Sequence, residues 1–156
     1  MNASRPWLGS LLVGLQFGLL ALLAAQALIA MPGWQAAAGT PWSAALLLGA
    51  GAALGLWAVA CNRPGNFNIR PLPRPGGELV RHGPYRWIRH PMYSALLLAG
   101  LAAAWLAGSL WAWAALLALA AVLVLKAGVE ERAMVEHHPG YADYQRKSHR
   151  FIPGLY

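Results

Sequence analysis

Between Gly77 and Tyr93 the chain gathers Arg81, His82, Tyr85, Arg86, Arg89 and His90 at the entrance to an apolar run. Pro91 suits the first position of a helix there, because its missing N–H has no partner to lose and its φ is already helical. His90 then stands at the cap. The amides of that first turn carry a partial positive charge and favour an anionic group. Any one of these basic residues is equally well explained as an anchor at a membrane surface; the cluster as a whole asks for more. A second group, Glu130-Glu131, stands at the far end of the next apolar run. Carboxylates at a helix C-terminus oppose its dipole, so a bound cation there would offset an unfavourable arrangement.

The two groups can act together only if the elements between them bring them to one side. A chain of 156 residues is one domain by length, and 58% hydrophobic with 11% charged residues is too apolar for an ordinary soluble domain. Mean hydropathy is +0.45. The apolar residues come in long runs, the membrane signature. The predicted fold is an all-α integral membrane protein, a single domain over 1–156 with four transmembrane helices at about 7–31, 41–60, 91–107 and 109–129. A cytosolic loop, 61–90, and a cytosolic C-terminal segment, 130–156, are expected to form the cofactor site. The first run is longer than the apolar region of a signal peptide and is read as a helix. Pro32-Gly33 ends it, and Gly108-Ser109 reverses the third helix tightly into the fourth. Gly49, Gly51 and Gly55 in the second span allow close approach of a neighbour.

Residues 61–90 are rich in proline, yet Phe67, Ile69, Leu79, Val80, Tyr85, Trp87 and Ile88 are too many apolar groups for a solvated tether. An ordered loop with short helical turns is expected. The fourth helix should continue into water through Arg132, with Pro139-Gly140 as its stop and a short amphipathic piece from Tyr141 to His149 beyond. Arg63, Arg70, Arg74, Arg81, Arg86 and Arg89 lie in the loop, and Arg132, Arg146, Lys147 and Arg150 in the C-terminal part, while the tips at 32–40 and 108–109 hold no Lys or Arg. The positive-inside bias therefore puts both termini and the loop in the cytosol, and the compact chain suggests a bacterial inner (plasma) membrane. The net charge of +7 follows from this topology and does not call for nucleic acid as a partner.

With the third and fourth helices joined by a tight turn, Arg89 and His90 come beside Glu130 and Glu131. A positive and a negative pole side by side suit a ligand carrying a carboxylate and a cation. S-adenosylmethionine, with its carboxylate, ammonium and sulfonium within a few bonds, has that pattern. The negative pole has a competing explanation, a solvated helix end with Lys126 pairing to Glu130 at i,i+4. Tyr141 and Tyr144 either pack back onto the loop or anchor the interface. Cys61 alone gives no disulfide. His137, His138 and His149 lack both a shared helix face and a completing carboxylate or thiol, so no metal site is predicted. No glycine-rich nucleotide motif follows a strand.

Glu78-Leu79-Val80, Gly83-Pro84-Tyr85, Arg89-His90-Pro91-x-Tyr93, Glu130-Glu131, Tyr141-x-x-Tyr144 and Arg150…Pro153 occur in that order over roughly residues 62–156. Together they resemble the isoprenylcysteine carboxyl methyltransferase family, itself similar to phospholipid N-methyltransferases. The resemblance implies an all-helical membrane methyltransferase with S-adenosylmethionine bound on the cytosolic side. It implies that Gly77, Glu78, Leu79, Val80, Tyr85, His90, Pro91, Tyr93 and Glu130 line the cofactor site. Two departures stand out. His138-Pro139-Gly140 before Tyr141 is one residue shorter than the family's usual Phe-Gly-x-x-Tyr. An arginine one turn before the glutamates, which in eukaryotic relatives resembles a substrate contact, is Lys126 here, a point charge in place of a fork.

Methyl transfer to a lipophilic acceptor is the expected reaction, with Arg89, His90 and Glu131 as the catalytic set and Lys126 toward the acceptor. A carboxylate acceptor needs no base; for an amine or thiol, His90 or Glu131 would take the proton. The acceptor's identity and the oligomeric state are left open by the sequence. Two other readings fit less of the pattern. One is an NADPH-dependent membrane reductase of the sterol type, its arginines binding the 2′-phosphate. The other is a non-enzymatic protein whose basic loop binds anionic lipid.

Overall fold

The computed structural model describes residues 6–30, 41–62 and 77–155. The expected break at Pro32-Gly33 and the loop stretch with Phe67, Ile69, Arg63, Arg70 and Arg74 lie outside the described residues. Five α-helices follow in order: α1 (Pro6–Ala30), α2 (Pro41–Cys61), α3 (Pro91–Ala107), α4 (Leu110–His137) and α5 (Tyr141–Lys147), with a 3-10 turn at Gly83–Arg86 before α3. No strand occurs among the described residues; one isolated parallel bridge joins Ile88 to His149.

Leu and Ala, both strong helix formers, fill α1, α2 and the first two thirds of α4. These helices are apolar on every face, as a lipid-embedded helix must be. Trp7–Ala30, Trp42–Cys61 and Leu110–His137 are each long and apolar enough to cross a membrane. The chain is an integral membrane protein, and side chains such as Ile29, Leu46, Leu110 and Trp111 stand exposed because lipid is their solvent. At 17 residues, α3 spans about 26 Å, a little less than the ~30 Å hydrocarbon core needs.

The α3–α4 reversal follows from its two joining residues. Gly108 ends α3 in the left-handed region at φ 58°, a conformation glycine adopts without Cβ strain. Ser109 then caps α4, its Oγ accepting from the Ala112 amide at 3.1 Å. The same hydroxyl donates to Gln26 of α1 at 3.1 Å, which fixes α1 against the hairpin.

Helices α1, α3 and α4 pack on one another, and α2 lies along α3. Leu23, Ala104, Ala112, Ala115, Leu119, Leu123 and Ala127 form their core. Small side chains let the backbones approach, as expected where lipid supplies no hydrophobic drive between helices. Of the three glycines singled out in α2, Gly51 and Gly55 meet α3. A Cβ on Gly51 would lie 3.0 Å from the Ala95 carbonyl oxygen, and one on Gly55 would lie 3.5 Å from the Ala95 methyl group. Gly49 faces open space.

Helix α4 runs seven residues past Glu130 to His137. The Glu pair therefore sits one to two turns before the C-terminus, and the helix dipole, which fades within the last turn, does not act there. The expected opposition between dipole and carboxylates is thus corrected. Any negative pole at this place comes from the carboxylates alone.

Candidate functional site

The site is built on the parallel bridge. After α5 the chain runs beside the approach to α3: the Arg89 amide donates to the His149 carbonyl at 2.8 Å, the His90 amide to the Arg150 carbonyl at 3.1 Å, and the His149 amide to the Trp87 carbonyl at 2.9 Å. Ser94 on α3 adds a buried hydroxyl that donates to the Phe151 carbonyl at 2.7 Å. Residues 148–151 form a strap across the N-terminus of α3, and they bring Arg150 to the Glu pair.

Glu131 is almost fully buried and serves four partners, the weakest being Gln145 Nε2, which donates to its Oε2 at 3.5 Å. Arg89 Nε donates to its Oε1 at 2.7 Å, and Arg150 Nη2 donates to its Oε2 at 2.7 Å. His90 Nε2 stands 3.1 Å from Oε1. Arg89 also donates through Nη1 to the Gln145 carbonyl at 3.1 Å and to the Ser148 carbonyl. Both the guanidinium and the carboxylate are committed to the fold. Such an ion cluster holds because every charge has a hydrogen-bonded partner, and removing one leaves the others buried and unpaired.

Glu130 is different. Its carboxylate is one-third exposed. The Tyr93 hydroxyl donates to its Oε2 at 2.8 Å, and His90 Nδ1 stands 3.7 Å from the same atom. The His90 and Tyr93 rings stack with centroids 5.1 Å apart, and Phe151 packs at a tilt against both. Among the described residues no Lys or Arg binds Glu130. It is a carboxylate oriented by a neutral donor, with lone pairs to spare.

The loop packs beside the start of α3 and the α5 segment. Gly77–Val80 has no regular secondary structure and leads toward the 3-10 turn, with Leu79 and Val80 half-buried and Glu78 exposed. Gly83, at φ 60°, passes so close to Cys61 and Trp57 that a Cβ there would clash with the thiol. Tyr144 packs back onto the loop, its hydroxyl donating to the Tyr85 carbonyl at 2.6 Å, and Arg81 donates to the Gly140 carbonyl at 3.3 Å. Burial, reinforced by the negative charge of Glu130, pushes the Tyr85 phenol up to about 12. Burial also raises Tyr141, with Glu131 and Glu130 adding to it, and raises Tyr144, where the nearby Arg89 charge opposes it. All three phenols are therefore neutral donors at ordinary pH.

Lys126 does not pair with Glu130 along the helix. Its Nζ donates to Gln16 of α1 at 2.6 Å and sits 5.2 Å from the Tyr93 ring centroid. Between α2 and α3 lies an apolar cavity of about 430 Å³, walled by Trp57, Trp87, Leu97, Leu98, Leu101 and Phe151. Phe151 is thus shared between this cavity and the His90–Tyr93 stack. Among the described residues no three His, Cys, Asp or Glu side chains gather as a metal ion would require.

The structure thus brings together Arg89, His90, Tyr93, Glu130 and Glu131, with Tyr85 close enough to sense the Glu130 charge. Arg150, Gln145, Ser148 and Gln16 join them without having been singled out as site residues. Arg150 carried a signal, as a basic residue closing the motif series. Gln145, Ser148 and Gln16 carried none beyond being polar.

The chain is similar in sequence to known proteins. The chain is 38% identical over 84 residues to the cobalt-zinc-cadmium resistance protein CzcN of Cupriavidus metallidurans, covering 53% of this chain and 38% of that protein. It is 43% identical over 42 residues to the uncharacterized protein YpbQ of Bacillus subtilis, covering 27% of this chain and 24% of that protein. The chain thus spans well under half the length of these two relatives. Residues 44–136, more than half the chain and including α3, the loop before it and the Glu pair, match the isoprenylcysteine carboxyl methyltransferase family. The chain belongs to that family of methyltransferases.

Proposed function

We propose that this protein takes a methyl group from S-adenosylmethionine and passes it to a lipophilic acceptor at the membrane boundary. In this reading α3 crosses the bilayer with the other three long helices. Both termini, residues 61–90 and residues 130–156 lie on the cytosolic side of a bacterial inner membrane, where their arginines favour them.

The observation that carries the reading is the contrast between the two glutamates. Glu131 is consumed by Arg89, Arg150 and His90, while Glu130 is held by Tyr93 and left open. An oriented carboxylate in a partly desolvated corner binds a cation far better than one in water. It fits the ammonium or sulfonium of S-adenosylmethionine. Arg89 does not fit the ligand's carboxylate in the same way, because its donors already serve Glu131, Gln145 and Ser148. The positive pole is instead the start of α3 itself.

When bound, S-adenosylmethionine supplies a methyl group already activated on sulfur. The chain's own residues then have to position, enclose and exclude water. Tyr93 orients Glu130, His90 fixes the Tyr93 ring by stacking, and the Arg89–Glu131–Arg150 cluster holds the strap that closes the corner. Tyr85, Pro91 and the segment Gly77, Glu78, Leu79 and Val80 form the walls. The apolar cavity beside Phe151 suits the acceptor's hydrocarbon part. A carboxylate acceptor needs no base, which agrees with Glu131 having no free lone-pair face. Family membership favours methyl transfer over the NADPH-dependent reduction and the lipid-binding role.

Isothermal titration of the purified protein with S-adenosylmethionine tests the reading. Wild type is expected to bind and Glu130→Ala to lose at least tenfold in affinity while keeping its melting temperature. Absence of binding by wild type would sink the proposal.

A further inference from the structure

Lys126 and Glu130 stand four residues apart on α4, a spacing at which the two side chains reach each other. Had they paired, the ammonium would neutralise the carboxylate that the corner leaves open. They do not pair. Lys126 is 2% exposed and spends its hydrogen bond on Gln16 Oε1, 2.6 Å away on α1. Its Nζ lies over the Tyr93 ring face at 5.2 Å, a favourable place for a cation. Gln16, itself 4% exposed, comes from the one long helix that lies wholly outside the family-matched residues 44–136.

We propose that Gln16 is a positioning residue for the cofactor site: it draws Lys126 away from Glu130 and so keeps that carboxylate free to receive a ligand's cation. The inference rests on the reading of the corner as a site for S-adenosylmethionine. Its physical content is a competition. A neutral amide oxygen on α1 and a ring face hold the ammonium against the pull of a carboxylate one helical turn away. Any change that removes the amide oxygen shifts Lys126 toward Glu130, where it occupies the ligand's place. The competing ammonium and the ligand's sulfonium seek the same carboxylate, so the cost falls on the sulfonium form more than on its thioether counterpart, which keeps the ammonium and carboxylate but lacks that charge.

The experiment is titration with S-adenosylmethionine and, in parallel, S-adenosylhomocysteine, which lacks the sulfonium charge. Gln16→Met is expected to weaken S-adenosylmethionine about tenfold and to change S-adenosylhomocysteine less than threefold. Adding Lys126→Met to Gln16→Met is expected to restore S-adenosylmethionine affinity to within about threefold of wild type, because the competing cation is gone. Gln16→Glu, which keeps an acceptor for Lys126, is expected to bind like wild type, and it serves also if Gln16→Met fails to fold. A Gln16→Met protein that binds both ligands as wild type does, a double variant as weak as the single one, or a Gln16→Glu protein that loses S-adenosylmethionine would overturn the inference. If wild type binds neither ligand, the cofactor reading fails and carries this inference with it.

Discussion

Arg150 Nη2 meets Glu131 Oε2 at 2.7 Å across nineteen residues of chain, and this contact ties the strap after α5 to the middle of the site. Because Arg89 holds the other oxygen of the same carboxylate, one buried charge joins α4, the start of α3 and the strap.

Glu131→Gln should therefore act on stability before chemistry. Two guanidinium groups, their side chains only 11% and 22% exposed, would lose their counter-ion. The expected loss is about 3 kcal/mol. The readouts are a lower melting temperature in detergent and tryptic cleavage in 145–151. A variant melting as wild type does, with its strap still protected, would show that the cluster does not hold the strap.

Tyr93→Phe removes the donor that orients Glu130 and leaves the ring that stacks on His90. A hydrogen bond to a charged group contributes about 1.5–3 kcal/mol. Affinity for S-adenosylmethionine should fall about tenfold, and the melting temperature should drop modestly because the same bond is present in the unliganded protein. Unaltered affinity in the titration would show that Glu130 needs no orienting.

Raised phenols make the packing of α5 against the loop alkali-sensitive. An unfolded tyrosine loses its proton near pH 10, whereas Tyr85 in the folded protein holds it until about 12, with Tyr141 and Tyr144 also shifted upward. Below pH 10 both states keep the proton and these groups add no pH dependence. Above it the unfolded state releases protons that the folded state retains, so stability falls as pH rises toward 12. Absorbance at 295 nm should show these phenols ionising late, together with loss of near-ultraviolet circular dichroism. Full ionisation by pH 10.5 with the dichroism intact would contradict the burial.

Gly51 and Gly49 make a matched pair. At Gly51 a Cβ would press on the Ala95 carbonyl at 3.0 Å and on Leu98 at 3.2 Å. Gly51→Val should cost about 1–3 kcal/mol by forcing α2 from α3. At Gly49 nothing lies within 4 Å, so Gly49→Ala should be neutral or slightly stabilising through helix propensity. Equal melting temperatures for the two variants would remove the close approach as a determinant of packing.

The helices were legible because their signals are local. Runs of Leu and Ala, Pro91 at a helix start and Gly108-Ser109 at a reversal place α1 to α3 within one residue of expectation. Helix α4 begins as expected, and its reach to His137 agrees with the continuation toward Pro139-Gly140. The meeting of His90 with the Glu pair was legible too, since the hairpin dictates it. What could not be read was which glutamate the arginines take and which is held by Tyr93 alone among the described hydrogen-bond donors. That depends on Arg150 folding back over nineteen residues and on Gln16 reaching Lys126 over 110. Neither distance leaves a trace in periodicity or composition.

The strap also sets an order of events. Residues 148–151, which pin the doorway of α3 through His149, Arg150 and Phe151, leave the ribosome after every helix they close over. Insertion of the helices into lipid and completion of the cleft are therefore separate steps. A chain truncated near Gly140 would hold its helices in the bilayer with Glu131 lacking Arg150, and only a chain that extends past Phe151 could form the cleft.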